Sequence, residues 1–256
     1  MRVLIKLGGT LLETEESRRR LAREIAAARG PEVEIAVVHG GGKQLTRFLA
    51  ERGIESRFVN GLRVTTAEVL DSVLMVVAGL VNKRLTAAFA AEGVQAVGLT
   101  GADGLLAEAV PLDPALGFVG RPFRSNGRLL EVLIAAGYLP VIACVAGGRD
   151  GSLFNVNADQ MAVACARAFL AEKLLFFTDV EGVLGSDGTL HSRLGADMCR
   201  DFIESGVATG GMRAKLEAAM DAVAGGVSEV VAAPGARPNL LRGLLSGLTV
   251  GTRILP

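Results

Sequence analysis

Three charged residues stand where charge needs a reason. Lys6 lies inside "VLIKL", a run otherwise fit for a central strand, and a buried lysine requires a partner or a ligand. Lys215 falls early in "GGMRAKLEAAM", a helical stretch behind a glycine pair, where a solvated lysine is the plain alternative. Asp159 ends the cluster Asn155, Asn157 and Asp159, just ahead of the apolar run "MAVACARAFLA". Either asparagine suits a helix N-cap, and Asp159 in the first turn suits the helix dipole. That account leaves one amide unused. The chemical alternative has Asp159 fixing nearby lysines while an asparagine donates to an anionic substrate.

Two glycine turns point the same way. "IKLGG" puts Gly8 and Gly9 after the first strand, and "VVHGGGKQ" puts Gly40, Gly41 and Gly42 after the second. Ligands of open α/β sheets bind beyond the carboxyl ends of strands, and helix N-termini favour anions. Side by side, such turns present backbone N–H groups to a phosphate; alone, each is only a tight turn. The familiar nucleotide motifs are missing, since Lys43 is followed by Gln44 and no G-x-G-x-x-G follows a strand. Arg63, in "NGLRVTTAEV", precedes a helix start at Thr65/Thr66. Its planar fork suits a carboxylate, with a surface role as the alternative.

The elements that must position these residues alternate along the chain. "RVLIKL", "VEIAVV", "VQAVGL", "YLPVIACV", "KLLFFT" and "SEVVAA" read as buried strands. "ESRRRLAREIAAA", "KQLTRFLAER", the long stretch from Thr66 to Glu92, "DQMAVACARAFLA", "MRAKLEAAMDAVAGG" and "RPNLLRGLLSG" read as helices. Continuous apolar strands spaced by helices predict an α/β fold with a mainly parallel sheet covered on both faces. From Leu105 to Arg124, proline and glycine punctuate short β-like pieces, which predicts a hairpin or lid. "VLGSDGTL" predicts a second hairpin turning at Asp187-Gly188.

Composition narrows the function classes. Lys plus Arg and Asp plus Glu both total 27, so no global field draws the chain to nucleic acid or anionic membrane. The 3 cysteines and 2 histidines are too scattered for a disulfide framework or a zinc site. Lys6 interrupts the N-terminal apolar run, so no signal peptide is expected, and no apolar run reads as a membrane span. The expectation is a cytoplasmic protein.

"IKLGG", "VVHGGGKQ", "NGLRVT", "NVNADQ", "TDVEGVL", "GGMRAKL" and a closing "VGTRIL" occur in this order over nearly the whole chain. Together they resemble the amino acid kinase family, and within it the branch that phosphorylates N-acetyl-L-glutamate. The resemblance implies a three-layer αβα sandwich, the amino acid kinase fold, as one domain over 1–256. Its N-terminal lobe (1–172) would bind the acceptor and dimerise; its C-terminal lobe (173–256) would bind the nucleotide. It implies ATP-dependent phosphorylation of the γ-carboxylate of N-acetyl-L-glutamate, the second step of arginine biosynthesis.

By position, Lys6 and Lys215 would stabilise the phosphoryl group in flight and Asp159 would orient both. Gly41, Gly42, Arg63 and Asn155 would hold the acceptor. Gly8, Gly9, Asp179, Val180, Glu181, Gly182, Val183, Leu184, Val207, Ala208 and Thr209 would line ATP, with Mg²⁺ carried on its phosphates. A glutamate carboxylate, with an unperturbed pKa near 4.3, is already an anionic nucleophile at neutral pH, so no general base is required. Ala102, Arg121, Pro122 and Arg124 depart from the family pattern, the last three on the lid. A kinase of carrier-linked aminoadipate in lysine biosynthesis, or a non-catalytic sensor on the same fold, are the alternatives. The long apolar helix implies a homodimer. Because the first strand begins at Arg2, the mobile N-terminal helix of arginine-inhibited relatives is not expected, nor are arginine inhibition and a hexamer.

Overall fold

The computed structural model describes residues 1–256. All six sequence-predicted strands form and lie in one sheet. They are β1 (Arg2–Leu7), β2 (Glu34–His39), β3 (Ala96–Thr100), β4 (Leu139–Ala143), β5 (Lys173–Thr178) and, after the short β6 (Arg193–Leu194), β7 (Glu229–Pro234); β8 (Thr252–Ile254) completes the sheet. The order is β6-β8-β7-β5-β1-β2-β4-β3, parallel throughout except for the β7–β8 pair. The inner strands are buried residue after residue, which is why they read as unbroken apolar runs rather than alternating ones. The lobe boundary expected at 172/173 falls just before β5, whose Leu175 pairs with Ile5 of β1, so one sheet runs through both halves.

Eight helices cover the sheet: α1 (Glu15–Ala28), α2 (Gly42–Ala50), α3 (Ala67–Ala91), α4 (Arg128–Ala135), α5 (Ala158–Phe169), α6 (Ala196–Glu204), α7 (Gly210–Ala224) and α8 (Leu240–Leu245). The first three and α8 pack on one another, and α4 through α7 form a second set, giving the outer layers of the sandwich. Thr66 caps α3 by accepting the Val69 N–H at 3.3 Å. Inside α3, Leu74–Val81 winds as a π-helix. By length and hydropathy α3 passes as a membrane span, which the sequence reading did not anticipate. Yet Val73, Val77, Leu85 and Phe89 bury one side of it in the core.

The segment expected as a lid is a hairpin, Ala107–Pro111 with Gly120–Ser125, and it joins Val145–Gly147 and Leu153–Asn155 in a four-stranded sheet. The second expected hairpin also forms, Val183–Leu184 with Leu190–His191. Its Asp187 side chain accepts the Thr189 N–H at 2.9 Å and its Gly188 sits at φ +78°. A third, Phe58–Val59 with Leu62–Arg63, turns at Asn60-Gly61, both with positive φ.

Candidate active site

The three charged residues meet. Lys6 stands near the end of β1, in the middle of the sheet. Asn157 is the N-cap of α5: its Oδ1 accepts the N–H groups of Asp159 at 2.8 Å and Gln160 at 3.3 Å. That cap starts the helix where it puts the Asp159 carboxylate over the carboxyl end of β1. Lys215 reaches the same point from α7. Lys6 Nζ lies 2.7 Å from Asp159 Oδ1, and Lys215 Nζ donates to Oδ2 at 3.1 Å. Lys215 is 7 % exposed, so the solvated-lysine alternative fails. Its ammonium also sits 5.0 Å over the Phe176 ring.

The electrostatics are those of a cationic site held together by one anion. Burial opposes ionisation of Asp159, but Lys6 and then Lys215 outweigh it and hold its carboxyl below the usual range. Burial and then repulsion from Lys6 push the Lys215 ammonium down, while Asp159 and Asp179 pull it back. Two ammonium groups share one carboxylate, so the site keeps a positive surplus for an incoming anion.

The glycine turns close on each other beside this triad. A Cβ built on Gly9 would sit 3.3 Å from Gly42 N and 3.5 Å from Gly41 N. The Gly41 and Gly42 amides, at the open start of α2, bond no carbonyl. Gln44 ties the turns together, its Nε2 donating to Gly9 O at 3.0 Å. The result is a cradle of backbone donors that any side chain at Gly9 would fill.

Two adjoining cavities open from the cradle. One, of about 370 Å³, is lined by Lys6, Gly8, Gly9, Thr10, Gly42, Lys43, Thr46, Phe58, Arg63, Thr178 and Asp179. The other, of about 170 Å³, is lined by Gly40 to Gly42, Leu45, Phe58, Gly61, Leu62, Arg63, Val77, Val119, Cys144 and Asn155 to Ala158. Gly42, Phe58 and Arg63 belong to both. Arg63 is buried at the junction. Its Nη2 donates to Thr46 Oγ1 at 2.7 Å and to Gly42 O at 3.3 Å, and its guanidinium lies 4.6 Å over Phe58. Asn155 Nδ2 donates to Thr65 Oγ1 at 3.0 Å, which leaves its second amide hydrogen for a ligand. Cys144 is no nucleophile: burial pushes its thiol up to about 11.

Of the expected nucleotide residues, Gly8, Gly9 and Asp179 line the larger cavity; Val180 to Leu184 and Val207 to Thr209 line neither. Val183 and Ala208 are buried, and their N–H groups are already spent on Thr252 Oγ1 and Phe202 O, both at 2.8 Å; Thr209 leaves the first turn of α7 without a side-chain cap. Thr10, Thr46, Phe58 and Thr178 were missed. Thr178 ends β5 and Thr10 follows the Gly8-Gly9 turn after β1, and the strand-end rule applied strictly would have included them. Arg121 lines a separate groove between the hairpin and α5, with Gln160 and Arg167, and neither Arg121 nor Arg124 reaches the small cavity. No group of three His, Cys, Asp or Glu side chains is placed to hold a metal ion.

A sequence profile described as the amino acid kinase family matches residues 1–233. The chain belongs to the amino acid kinase family. It is 56 % identical over 218 residues to an acetylglutamate kinase of Solibacter usitatus, covering 85 % of each chain. It is 46 % identical over 220 residues to one of Acidobacterium capsulatum, again covering 85 % of each. Among solved structures it resembles N-acetylglutamate synthase from Neisseria gonorrhoeae complexed with coenzyme A and N-acetyl-glutamate. The TM-score is 0.86 at 27 % identity, over all of this chain and 59 % of that one.

Proposed function

We propose that this kinase transfers the γ-phosphoryl group of ATP to the γ-carboxylate of N-acetyl-L-glutamate. The observation that carries the reading is the Lys6–Asp159–Lys215 triad at the mouth of two joined cavities, one rimmed by unpaired glycine amides and the other by Arg63 and Asn155. The names of the Solibacter and Acidobacterium relatives support the same acceptor.

In the reaction, a γ-carboxylate oxygen attacks the γ-phosphorus and the bond to the β,γ-bridging oxygen breaks. ADP leaves with that electron pair, and an acyl phosphate forms with no net proton transfer. The difficulty is repulsion between an anion and a polyanion. Lys6 and Lys215 offset it, one ammonium from β1 and one from α7, and the Gly9, Gly41 and Gly42 amides take the phosphoryl oxygens. Arg63 and Asn155 hold the acceptor's α-carboxylate, which fixes the line of attack. Asp159 keeps the two lysines together; with both its oxygens committed to ammonium groups it is an organiser, not a base. Mg²⁺ enters as part of the nucleotide. Val180 to Leu184 and Val207 to Thr209 contribute to the nucleotide site beyond the phosphates.

The lobe division at 172/173 and a homodimer through the N-terminal lobe belong to the same reading. On α3, Met75 and Leu80 are 57 % and 43 % exposed beside the buried Val76, Val77 and Val81, an apolar face suited to a second copy. The test of function is ADP release. It is expected with N-acetyl-L-glutamate and not with free glutamate or aspartate; the reverse preference would overturn the reading.

A further inference from the structure

We infer that Asn82 and His39 are positioning residues that aim the Gly41 amide at the transferring phosphoryl group, a role that rests on the kinase reading above. His39 ends β2 and is wholly buried, as is Asn82. The imidazole Nδ1 lies 2.8 Å from Gly40 O, and Nε2 lies 2.9 Å from Asn82 Nδ2. A carbonyl only accepts and an amide NH₂ only donates, so a single arrangement satisfies both contacts: a neutral ring with its proton on Nδ1 and its lone pair on Nε2.

Asn82 cannot turn over to offer its oxygen instead. Its Nδ2 also donates to Val141 O in β4 at 3.0 Å, and its Oδ1 accepts the Lys83 ammonium at 3.1 Å. A flip would set oxygen against oxygen at Val141 and hydrogen against ammonium at Lys83. The ring is also kept neutral: burial lowers its pKa to about 4, the Gly40 contact works against this, and Lys83 adds to the lowering.

The consequence runs through one peptide bond. In a planar trans peptide, C=O and the next N–H point in opposite directions. His39 draws the Gly40 carbonyl inward, so the Gly41 N–H turns outward, towards the space beside Gly9. The helix that supplies Asn82 also limits the other side of this loop. A Cβ on Gly41 would meet Val77 Cγ2 at 3.2 Å and Val81 Cγ2 at 3.4 Å. Asn82 follows the π-helical turns Leu74–Val81 directly, and π insertions in helices are frequent at functional sites because they redirect the side chains beyond them.

The test compares two neutral replacements. An asparagine amide can take the place of Nδ1, whereas the longer glutamine amide takes the place of Nε2. His39→Asn is expected to keep most of the wild-type kcat. His39→Gln and Asn82→Leu are expected to lose about 10²-fold in kcat with little change in the KM for N-acetylglutamate, the usual cost of one misaimed donor to developing charge. Equal losses in the two His39 variants, or losses that follow their thermal midpoints, would mean a merely structural role and overturn the inference. Retained kcat in His39→Gln would do the same. ¹⁵N NMR of the wild-type protein is independent of turnover and of how the variants fold. It is expected to show a neutral, Nδ1-protonated His39 from pH 5.5 to 8.5, whereas an Nε2–H tautomer or a midpoint near 6.5 would overturn the inference. Wild-type protein that fails to phosphorylate N-acetylglutamate but shows this tautomer would sink the kinase reading and leave the hydrogen-bond relay standing.

Discussion

Lys6, Lys215 and Asp159 are expected to govern kcat, and Arg63 the acceptor KM. Lys6→Ala or Lys215→Ala removes one positioned charge from the transition state, and steady-state kinetics should show kcat reduced about 10²- to 10³-fold. Arg63→Ala removes a contact present from ground state to transition state, so acceptor KM should rise with kcat less affected; an unchanged KM would remove that role. Asp159→Asn keeps the shape and deletes the counter-charge that bridges the two ammonium groups. Lys215, already pushed down by burial and by Lys6, then loses its first compensation. It should deprotonate at lower pH than in the wild type, so the alkaline limb of the kcat profile should move towards neutrality; an unmoved limb contradicts the assigned role. Lys6 was legible in the sequence because a lysine in an apolar strand is anomalous. Lys215 was legible only through the order of motifs, because nothing in a helix period separates a solvated lysine from one folded over Phe176.

Strand-end turns are where the elements meet function, and β2 offers a stability test. The native His39 pKa of about 4 lies below the unfolded value near 6.5. Between those values the unfolded chain binds a proton that the native one does not, so stability must fall as pH drops from about 6.5 to 4. The size is roughly 3 kcal/mol at one kcal-scale unit of 1.36 per pKa unit. Urea unfolding at pH 7 and pH 4.5 should show a larger loss for the wild type than for His39→Asn; equal losses would contradict it. The parallel strands were legible because burial on both faces writes continuous apolar runs. Helices α4 and α6 were not, since short stretches of mixed pattern such as "RLLEVLIA" fit strand and helix alike. The π-helical turns were also hidden: "LMVVAGLV" is apolar nearly all round, so its period carries no phase. Asn60-Gly61 was a readable hairpin signal that the stronger pull of Arg63 obscured.

At the scale of the whole molecule, the triad draws on parts of the chain far apart in sequence, and the continuous sheet is what brings them together. Lys6 comes from β1, Asp159 from a helix packed on β1, and Lys215 from the helix leading into β7. Order of motifs made the fold and the triad readable, but side-chain packing decided which stretches line a cavity, and so Val180 to Leu184 and Val207 to Thr209 stand outside the two described here. Leu80→Glu puts a charge on the exposed apolar face of α3, and light scattering should show a dimer for the wild type and a monomer for the variant. A monomeric wild type at micromolar concentration would refute that assembly. The measurement that bears most directly on the central claim is hydroxylamine trapping of the acyl phosphate, with Mg²⁺ and ATP, across N-acetyl-L-glutamate, glutamate, aspartate and aminoadipate derivatives. The account predicts hydroxamate from N-acetyl-L-glutamate, lost in Lys6→Ala and Lys215→Ala. Hydroxamate from another acceptor alone, or none from any acceptor while nucleotide still binds, would contradict it.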